Sequence, residues 1–279
     1  MTPAEAAAAA LGRRVADARR VAGGDINDAW HVELDDGTRA FVKARAGAPA
    51  DEYATEAAGL AWLGEAIAVP RVLAVGESYL ALEWITEGRL DAAGEEELGR
   101  GLARLHAAGA PGFGASPPGA PFTGLRLGTV ELPPATPGDW PTLYGARLEA
   151  LARRAALPDP GAVDRVLERL PELAGPPEPP ARLHGDLWGG NVLADAGGLP
   201  VLIDPAAYGG HREVDLAMLR LFGAPSPRTL AAYAEALPLA GGHEDRVPLY
   251  QLLPLLVHAI LFGGGYGAAA VRAAHSAAP

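Results

Sequence analysis

One stretch decides the fold of this chain: His184-Gly185-Asp186-Leu187-Trp188-Gly189-Gly190-Asn191. Asp186 and Asn191 are five residues apart, and Asp204 follows thirteen residues after Asn191. The residues between them predict two short strands joined by a turn, so Asp204 is expected at a strand end opposite the loop that carries Asp186. This spacing suits phosphoryl transfer, with Asp186 as the base for an acceptor hydroxyl and Asn191 and Asp204 as oxygen ligands of Mg²⁺.

The composition is that of an ordinary globular chain of 279 residues, of which 49% are hydrophobic and 20% charged. A net charge of −11 argues against general nucleic-acid binding and against docking on anionic membranes. The absence of cysteine excludes thiolate catalysis and a disulfide-linked oligomer. No secretory signal is apparent, so a cytoplasmic location is expected. The apolar run 247–262 contains two prolines and predicts a buried helix pair instead of a membrane span.

Lys43 is the only lysine in the sequence, although lysine and arginine together number 23. A site shaped for the compact charge of lysine does not accept the planar fork of arginine, so this position is a candidate functional one. A strand predicted at 38–44 places Lys43 beside the loop Gly23-Gly24-Asp25-Ile26-Asn27. Glu56 lies on a helix predicted at 51–66, in the order in which kinase folds use a glutamate to hold the phosphate-binding lysine. Chance survival of one lysine is the alternative.

The first part of the chain predicts an antiparallel sheet with two helices. A capping box at Thr2 to Glu5 marks the first helix, and Asp36-Gly37 is a strong hairpin signal. The segment 83–88 has the character of a hinge, so backbone groups of Glu83, Trp84 and Ile85 are candidates to bind an adenine edge. The predicted elements are helices at 3–11 and 51–66 and strands at 15–21, 29–34, 38–44, 69–76 and 79–84.

The second part predicts helices joined by proline-rich connections. We therefore expect an α+β fold with two parts, a nucleotide-binding lobe at 1–87 and a catalytic and substrate-binding lobe at 88–279. The segment 111–141 is rich in proline and glycine and predicts an irregular lid or pocket wall. Helices are predicted at 95–108, 140–156 and 162–170 and through most of the chain after residue 214.

Each remaining polar residue of the pattern has an expected role. Lys43, positioned by Glu56, would hold the phosphates that are not transferred, and the amides of the loop 23–27 would cover them. His184 and Asp215 are more consistent with bracing the catalytic loop than with catalysis. Trp188 is either a core residue or a face on which the substrate stacks, and we favour the second.

The chain resembles the fructosamine kinases, also called ketosamine-3-kinases, of the protein-kinase-like superfamily that includes aminoglycoside phosphotransferases and choline kinases. The resemblance extends over nearly the whole chain. It is carried by Gly23 to Asn27, Phe41-Val42-Lys43, Glu56, His184 to Asn191, Asp204-Pro205-Ala206, His211 to Met218 and Phe262-Gly263-Gly264.

The resemblance implies a bilobal fold and phosphorylation of the sugar 3-hydroxyl of ketoamines, dependent on ATP and Mg²⁺. The acceptors would be ribulosamine, erythrulosamine or fructosamine adducts of small amines or of protein lysines, and the result would be deglycation. Trp188, Tyr208, His211 and Arg212 are the candidate substrate contacts. Gly209 departs from the family, which commonly has an aromatic residue there, and Asp25 adds an unexplained negative charge to the phosphate loop.

Two other functions stay open from the sequence. One is a phosphotransferase for an aminoglycoside or for choline, and the other is a silent nucleotide-binding module. The second is disfavoured because every polar residue of the pattern is present.

Overall fold

The computed structural model describes residues 1–21, 27–132, 134–135, 138–223 and 225–279. The expected phosphate loop, Gly23 to Asn27, therefore lies outside the described residues except for Asn27. The fold is of the α+β class, as the sequence predicts.

A five-stranded antiparallel sheet forms the core of the first part. Across the sheet the order is β1-β2-β3-β5-β4, so β3 lies at its centre. The strands are β1 (Val15–Val21), β2 (Asp28–Leu34), β3 (Arg39–Ala44), β4 (Val72–Gly76) and β5 (Tyr79–Glu83).

The two helices of this part pack against opposite faces of the sheet. Helix α1 (Pro3–Ala10) has the capping box that the sequence predicts, since the Thr2 hydroxyl accepts from the Glu5 amide at 3.2 Å and the Thr2 amide donates to the Glu5 carboxylate at 2.7 Å. Helix α2 (Glu52–Leu63) packs on the other face. Because side chains alternate along a strand, Val42 packs towards α1 while Phe41 and Lys43 face α2.

The second part is mainly helical. Its helices are α3 (Ala92–Ala107), α4 (Trp140–Ala152), α5 (Gly161–Leu173), α6 (Glu213–Leu219), α7 (Pro227–Ala236), α8 (His243–Phe262) and α9 (Tyr266–Ala277). Three two-stranded antiparallel pairs complete it: β6 (Leu125–Leu127) with β7 (Val130–Leu132), β8 (Ala181–Leu183) with β11 (Tyr208–Gly210), and β9 (Val192–Ala194) with β10 (Pro200–Leu202).

Two sequence predictions differ from the structure. The segment 111–141 contains the β6–β7 hairpin. The sequence does not predict this hairpin because strands of three residues are too short to show an alternating pattern. The apolar run 247–262 is part of one helix, α8, and not a pair. Pro248 and Pro254 each remove a backbone donor from α8, at a cost of about 3 kcal/mol, but ten buried residues along the helix offset that cost. None of the described helices is long and apolar enough to cross a membrane.

The boundary at residues 87 and 88 stays a proposal. Several backbone contacts join the chain segments on either side of it. Glu87 forms an antiparallel β-bridge with Asp195, and the Leu202 amide donates to the Ala68 carbonyl at 2.9 Å. The β9–β10 hairpin, which ends just before Asp204, is therefore attached to the first part of the chain.

Candidate active site

The catalytic loop begins at the end of β8 with a sharp turn at Gly185. This residue has a φ of +83°, and a Cβ added to it would lie 2.0 Å from the Ala206 carbonyl oxygen. Only glycine fits there, so the loop can pack closely against the segment that follows Asp204. Asp215, at the start of α6, accepts from the His184 amide at 2.7 Å and from the Gly185 amide at 2.9 Å, which is the contact that a bracing role requires.

His184 holds the same loop from inside. Its side chain is fully buried, and Nε2 lies 2.9 Å from the Ile203 carbonyl oxygen, so Nε2 must donate. Nδ1 then accepts from the Asp186 amide at 3.3 Å. Burial lowers the pKa of His184, which keeps the ring neutral as this bonding pattern requires. His184 thus ties the Asp186 backbone to the backbone one residue before Asp204.

Asp186 is oriented by Asn191. The Asn191 Nδ2 donates to the Asp186 carbonyl at 2.8 Å and to its carboxylate at 3.3 Å, across a 3₁₀ turn at Gly189–Asn191. Burial, with the nearby charge of Asp204, raises the pKa of Asp186 to about 6. A carboxylate of this pKa is a stronger base than an exposed one and is still ionised at neutral pH.

Lys43 lies between two carboxylates. Its Nζ is 2.6 Å from the Glu56 carboxylate and 2.7 Å from that of Asp204, and the residue is 4% exposed. Burial alone would lower the pKa of Lys43, but Asp204 and Glu56 outweigh it and raise the pKa above its usual value, so the amine stays charged. Burial raises the pKa of Glu56 to about 7.

Asp204 has an unusual backbone conformation. Its φ is +53°, and no other non-glycine residue in the described part of the chain has a positive φ. Such a conformation costs on the order of 1–3 kcal/mol and persists only where the surroundings impose it. Burial opposes ionisation, but Lys43 holds the pKa of Asp204 below its usual value, so this carboxylate is charged and able to bind a cation.

The donor set fits Mg²⁺ as a partner of nucleotide phosphates. Asn191 and Asp204 both line one cavity, and the Asn191 Nδ2 is used by Asp186, which leaves its Oδ1 as the acceptor atom. Within the described ranges no group of three His, Asp or Glu residues could hold a metal. Mg²⁺ commonly takes one or two protein oxygens and completes its shell with phosphates and water, so two donors are sufficient.

The cavity has a volume of about 570 Å³ and lies between the two parts of the chain. Lys43, Glu56, Asp186, Asn191 and Asp204 all line it, together with Asn27 from the end of the expected phosphate loop. A second side is formed by the segment 117–128, so the proline-rich connection is the pocket wall that the sequence suggests. That segment reaches α2, where the Phe122 amide donates to the Thr55 hydroxyl at 3.3 Å.

The expected adenine contacts, Glu83, Trp84 and Ile85, are not among the residues that line this cavity. The Trp84 amide donates to the Arg39 carbonyl at 3.2 Å, and the Glu83 carboxylate accepts from Arg71 at 2.6 Å. The Trp84 amide is therefore engaged within the sheet, and adenine binding at this segment stays a prediction.

Of the four expected substrate contacts, only Trp188 lines the cavity, where it is 39% exposed. The other three are buried elsewhere. Tyr208 packs under the Arg147 guanidinium, whose carbon is 4.4 Å from the ring centre. The ring of His211 stacks on Tyr250 with a centroid distance of 5.1 Å.

Arg212 forms a two-pronged ion pair with Glu178, with contacts of 2.7 and 2.6 Å. Tyr208, His211 and Arg212 therefore pack the second part of the chain and do not line the cavity, and their contact with substrate stays a prediction. Gly209 has a packing reason as well, because a Cβ there would lie 2.2 Å from the Gly112 carbonyl oxygen. Glycine at position 209, where the family commonly has an aromatic residue, therefore allows this close contact, and Gly209 does not line the cavity.

The sequence did not predict several aromatic residues and one basic residue that line the cavity. Arg126 lines it from β6, with an ion pair to Asp51 at 3.1 Å. Four aromatic residues also line it: Phe222, His258, Phe262 and Tyr266. The only sequence signal for these was the helix end at Gly263-Gly264, which places Phe262 and Tyr266 next to each other in space.

A strand lysine held by a helix glutamate, in one cavity with an aspartate and two further oxygen donors, is the arrangement of a kinase of the protein-kinase-like fold. Comparison with known proteins narrows this class. The family model described as fructosamine kinase matches residues 2–277, and the chain belongs to that family.

Individual relatives agree with this assignment. A “probable ketoamine kinase” of Enterococcus faecium is 36% identical over 259 residues, covering 88% of this chain and 90% of the relative. The crystal structure of a “putative fructosamine-3-kinase” from Thermobifida fusca is 42% identical, covers 98% of this chain and 97% of its own, and superposes with a TM-score of 0.87. The crystal structure of choline kinase LicA from Streptococcus pneumoniae is 15% identical, covers 95% of this chain and 94% of its own, and superposes with a TM-score of 0.66, so it shares the fold alone.

Proposed function

We propose that this kinase transfers the γ-phosphoryl group of ATP to the sugar 3-hydroxyl of a ketoamine. The observation that carries the proposal is one continuous cavity that is lined by Asp186, by the charged cluster of Lys43, Glu56 and Asp204, and by the partly exposed Trp188. Family membership supplies the ketoamine as the acceptor class. The 3-phosphorylated adduct is unstable, so its breakdown frees the amine and the outcome is deglycation in the cytoplasm.

The chain's own residues would divide the work as follows. Lys43 holds the phosphates that stay with ADP, and Glu56 positions Lys43. Asp186 accepts the hydrogen bond of the acceptor hydroxyl, aligns its oxygen with the γ-phosphorus and takes the proton late, as the new oxygen–phosphorus bond forms and the bond to ADP breaks. Mg²⁺, held by Asn191, Asp204 and phosphate oxygens, would neutralise the charge on the phosphates.

Pre-organisation supports this division of roles. Asp186 is aimed by two bonds from Asn191, and its loop is held by Asp215 and His184, so little reorientation is needed when the acceptor binds. Trp188, two residues after Asp186, would lie against the sugar of a ribulosamine, erythrulosamine or fructosamine. Free ketoamines and glycated proteins are both acceptors that an open cavity admits.

The proposal is tested by ADP release from ATP with a panel of acceptors: ribulosyl-lysine, a synthetic fructosamine, choline and an aminoglycoside. We expect turnover with the ketoamines, and phosphorus NMR of the product should place the phosphate on the 3-hydroxyl. Turnover with choline or the aminoglycoside alone would contradict the proposal. ATP binding without turnover of any acceptor would favour a silent nucleotide-binding module.

A further inference from the structure

The cavity ends in a contiguous set of aromatic rings, which we call the aromatic wall: Trp188, Phe222, His258, Phe262 and Tyr266. Neighbouring ring centres are 5.9 Å apart for Trp188 and Phe222, 5.0 Å for Phe222 and His258, 5.5 Å for His258 and Phe262, and 5.1 Å for His258 and Tyr266. The rings come from the catalytic loop, the connection after α6, the end of α8 and the start of α9. Four separate chain segments therefore converge on one apolar surface.

This surface is left open by the described part of the chain. Trp188, Phe222 and Phe262 are 39%, 42% and 48% exposed, and they are three of the six large hydrophobic residues exposed in the described ranges. Keeping large apolar side chains in contact with water has a free-energy cost of about 25 cal/mol per Å². These three exposed side chains are not scattered over the surface but lie together in the cavity that contains Asp186. Their clustering there indicates a binding role.

The surroundings of the aromatic wall are also apolar. The same cavity is lined by apolar residues of α6 and of α8, the helix that carries His258 and Phe262: Val214, Met218, Leu253, Pro254, Val257 and Leu261. The carboxylates in the cavity lining belong to other places: Glu52 and Glu56 to α2, and Asp186 and Asp204 to the catalytic cluster. Glu52 is moreover paired with Arg45. A ligand group at the aromatic wall would find flat apolar faces, and the carboxylate on the same loop as Trp188 is that of Asp186.

His258 contributes a ring to this surface and not a charge. Its Nδ1 lies 2.7 Å from the Pro254 carbonyl oxygen, so that nitrogen donates. Burial lowers the pKa of His258, which keeps the imidazole neutral near pH 7. The ring packs at 5.0 Å from Phe222 and behaves as a member of the aromatic cluster.

We propose that the aromatic wall binds the amine-derived group of the ketoamine, and that the enzyme prefers acceptors whose amine carries an aromatic or large apolar group. The proposal rests on the proposed function, because the position of the 3-hydroxyl at Asp186 sets where the rest of the acceptor lies. In a ketoamine only the carbonyl carbon and one methylene separate the C3 carbon from the nitrogen. The amine substituent must therefore lie close to Trp188, the first ring of the wall.

The chemistry of the surface selects among amines. An aromatic substituent can stack on or meet the edges of these rings, at the separations of 4.5–7 Å that aromatic pairs favour. The α-carboxylate of free lysine would instead lose water against neutral rings without gaining a partner. A volume of about 570 Å³ leaves space for such a substituent beside the sugar.

The test uses two acceptors with the same sugar, N-benzyl and N-methyl 1-amino-1-deoxyribulose, and compares kcat/KM in the coupled assay. We expect the benzyl compound to be favoured by about 10- to 100-fold, the range that corresponds to burial of one phenyl ring. Phe222→Ala and Phe262→Ala should each move this ratio several-fold towards one. The matched control is Leu199→Ala in the β9–β10 turn, which is 47% exposed away from the cavity and should keep the ratio.

Three results would overturn the inference, and they are distinguishable. Equal kcat/KM for the two acceptors would reject the aromatic preference while leaving the ketoamine kinase intact. No turnover of either acceptor would reject the proposed function and the inference with it. A change in sedimentation of Phe222→Ala without a change in the ratio would show that the wall is a contact between copies of the chain. If Phe222→Ala has a much lower melting temperature than the wild type, Phe222→Leu is used in its place, because leucine keeps most of the apolar volume.

Discussion

Lys43 leaves little space for any other cation. It contacts two carboxylates at 2.6 and 2.7 Å and is 4% exposed, so the broader guanidinium of arginine cannot make both contacts without moving β3 or α2. We expect Lys43→Arg to lower kcat/KM for ATP by about 10²-fold or more, which is the cost of a displacement of about 1 Å in a catalytic site. The measurement is ADP release at varied ATP.

The matched control is Arg39→Lys, an exchange between the same two residue types on the same strand. Arg39 is exposed and reaches the Thr86 hydroxyl at 3.2 Å, so this variant should retain activity. Wild-type turnover by Lys43→Arg would show that the lysine is not required as a point charge.

Asp186→Asn removes the base and keeps the shape of the side chain. We expect kcat to fall by roughly 10²- to 10⁴-fold, the usual contribution of a positioned acid or base. ATP affinity, measured by calorimetry, should stay close to that of the unmodified protein because Asp186 lies on the acceptor side. Asp195→Asn in the β9–β10 turn is the control, and a kcat within tenfold of the wild type for Asp186→Asn would contradict the assigned role.

The activity should also depend on the ionisation of Asp186. Its pKa is raised to about 6, so the carboxyl group is protonated and inactive as a base below that pH. We expect kcat/KM for the acceptor to rise tenfold per pH unit below about 6 and to level off above it. A pH profile from 5 to 8 at saturating ATP tests this, with circular dichroism at each pH to exclude unfolding. A flat profile through this range would contradict the prediction.

Some features of individual site residues are predictable from the sequence, and others are not. The pairing of Lys43 with Glu56 follows from the lone lysine, the strand and the helix. The positive φ of Asp204 does not, because it depends on how closely the loop at Gly185 packs against Ala206. Substrate contact by Tyr208 stays a prediction, and the burial of its ring against Arg147 does not follow from the sequence because a strand of three residues does not show which way it faces.

At the scale of elements, α3 and α7 pack without a gap. A Cβ on Gly99 would lie 2.2 Å from the Thr229 carbonyl oxygen and 2.9 Å from the Tyr233 amide nitrogen, and both are backbone atoms. We expect Gly99→Ala to push the helices apart and lower the free energy of unfolding by about 1–3 kcal/mol. Thermal melting should show a fall of several degrees for a chain of this size.

Gly241→Ala serves as the control for that substitution. Gly241 precedes α8, has a φ outside the left-handed region, and has no atoms within 4 Å of an added Cβ. The melting temperature of the Gly241→Ala variant should stay close to that of the wild type. Equal melting of the two variants would mean that α3 and α7 can separate at little cost.

Elements differ in how well the sequence predicts them. Helices with caps, such as α1, and strands flanked by turn signals, such as β2 and β3, are recognisable because several local signals agree. The β6–β7, β8 and β11 strands have three residues each and no periodicity to detect. The continuity of α8 through Pro248 and Pro254 depends on packing against α6 and α9, which local sequence does not describe.

At the scale of the whole molecule, the two parts of the chain meet at the ion pair between Lys43 of β3 and Asp204 after β10. Nucleotide with Mg²⁺ would bind both partners and so hold the parts together. We expect ATP with Mg²⁺ at 100 times its Kd to stabilise the fold by about 2.7 kcal/mol. Differential scanning fluorimetry should therefore show a higher melting temperature, and chelation of Mg²⁺ should remove most of the increase.

Asp204→Asn should lose the Mg²⁺-dependent part of this increase because an amide is a weaker ligand for a hard cation. Asp195→Asn, outside the cavity lining, should retain it. An unchanged response of Asp204→Asn to Mg²⁺ would exclude this residue as a metal ligand.

The solitary lysine has one more consequence. Glycation begins when an unprotonated amine, mainly that of a surface lysine, attacks the carbonyl carbon of a sugar, and this protein has no such lysine because Lys43 is 4% exposed and its pKa is raised above the usual value. The folded enzyme is thereby protected at its lysine from the damage that it is proposed to reverse. A reagent that acylates amines would likewise find one ε-amino group in the chain, the one held between Glu56 and Asp204.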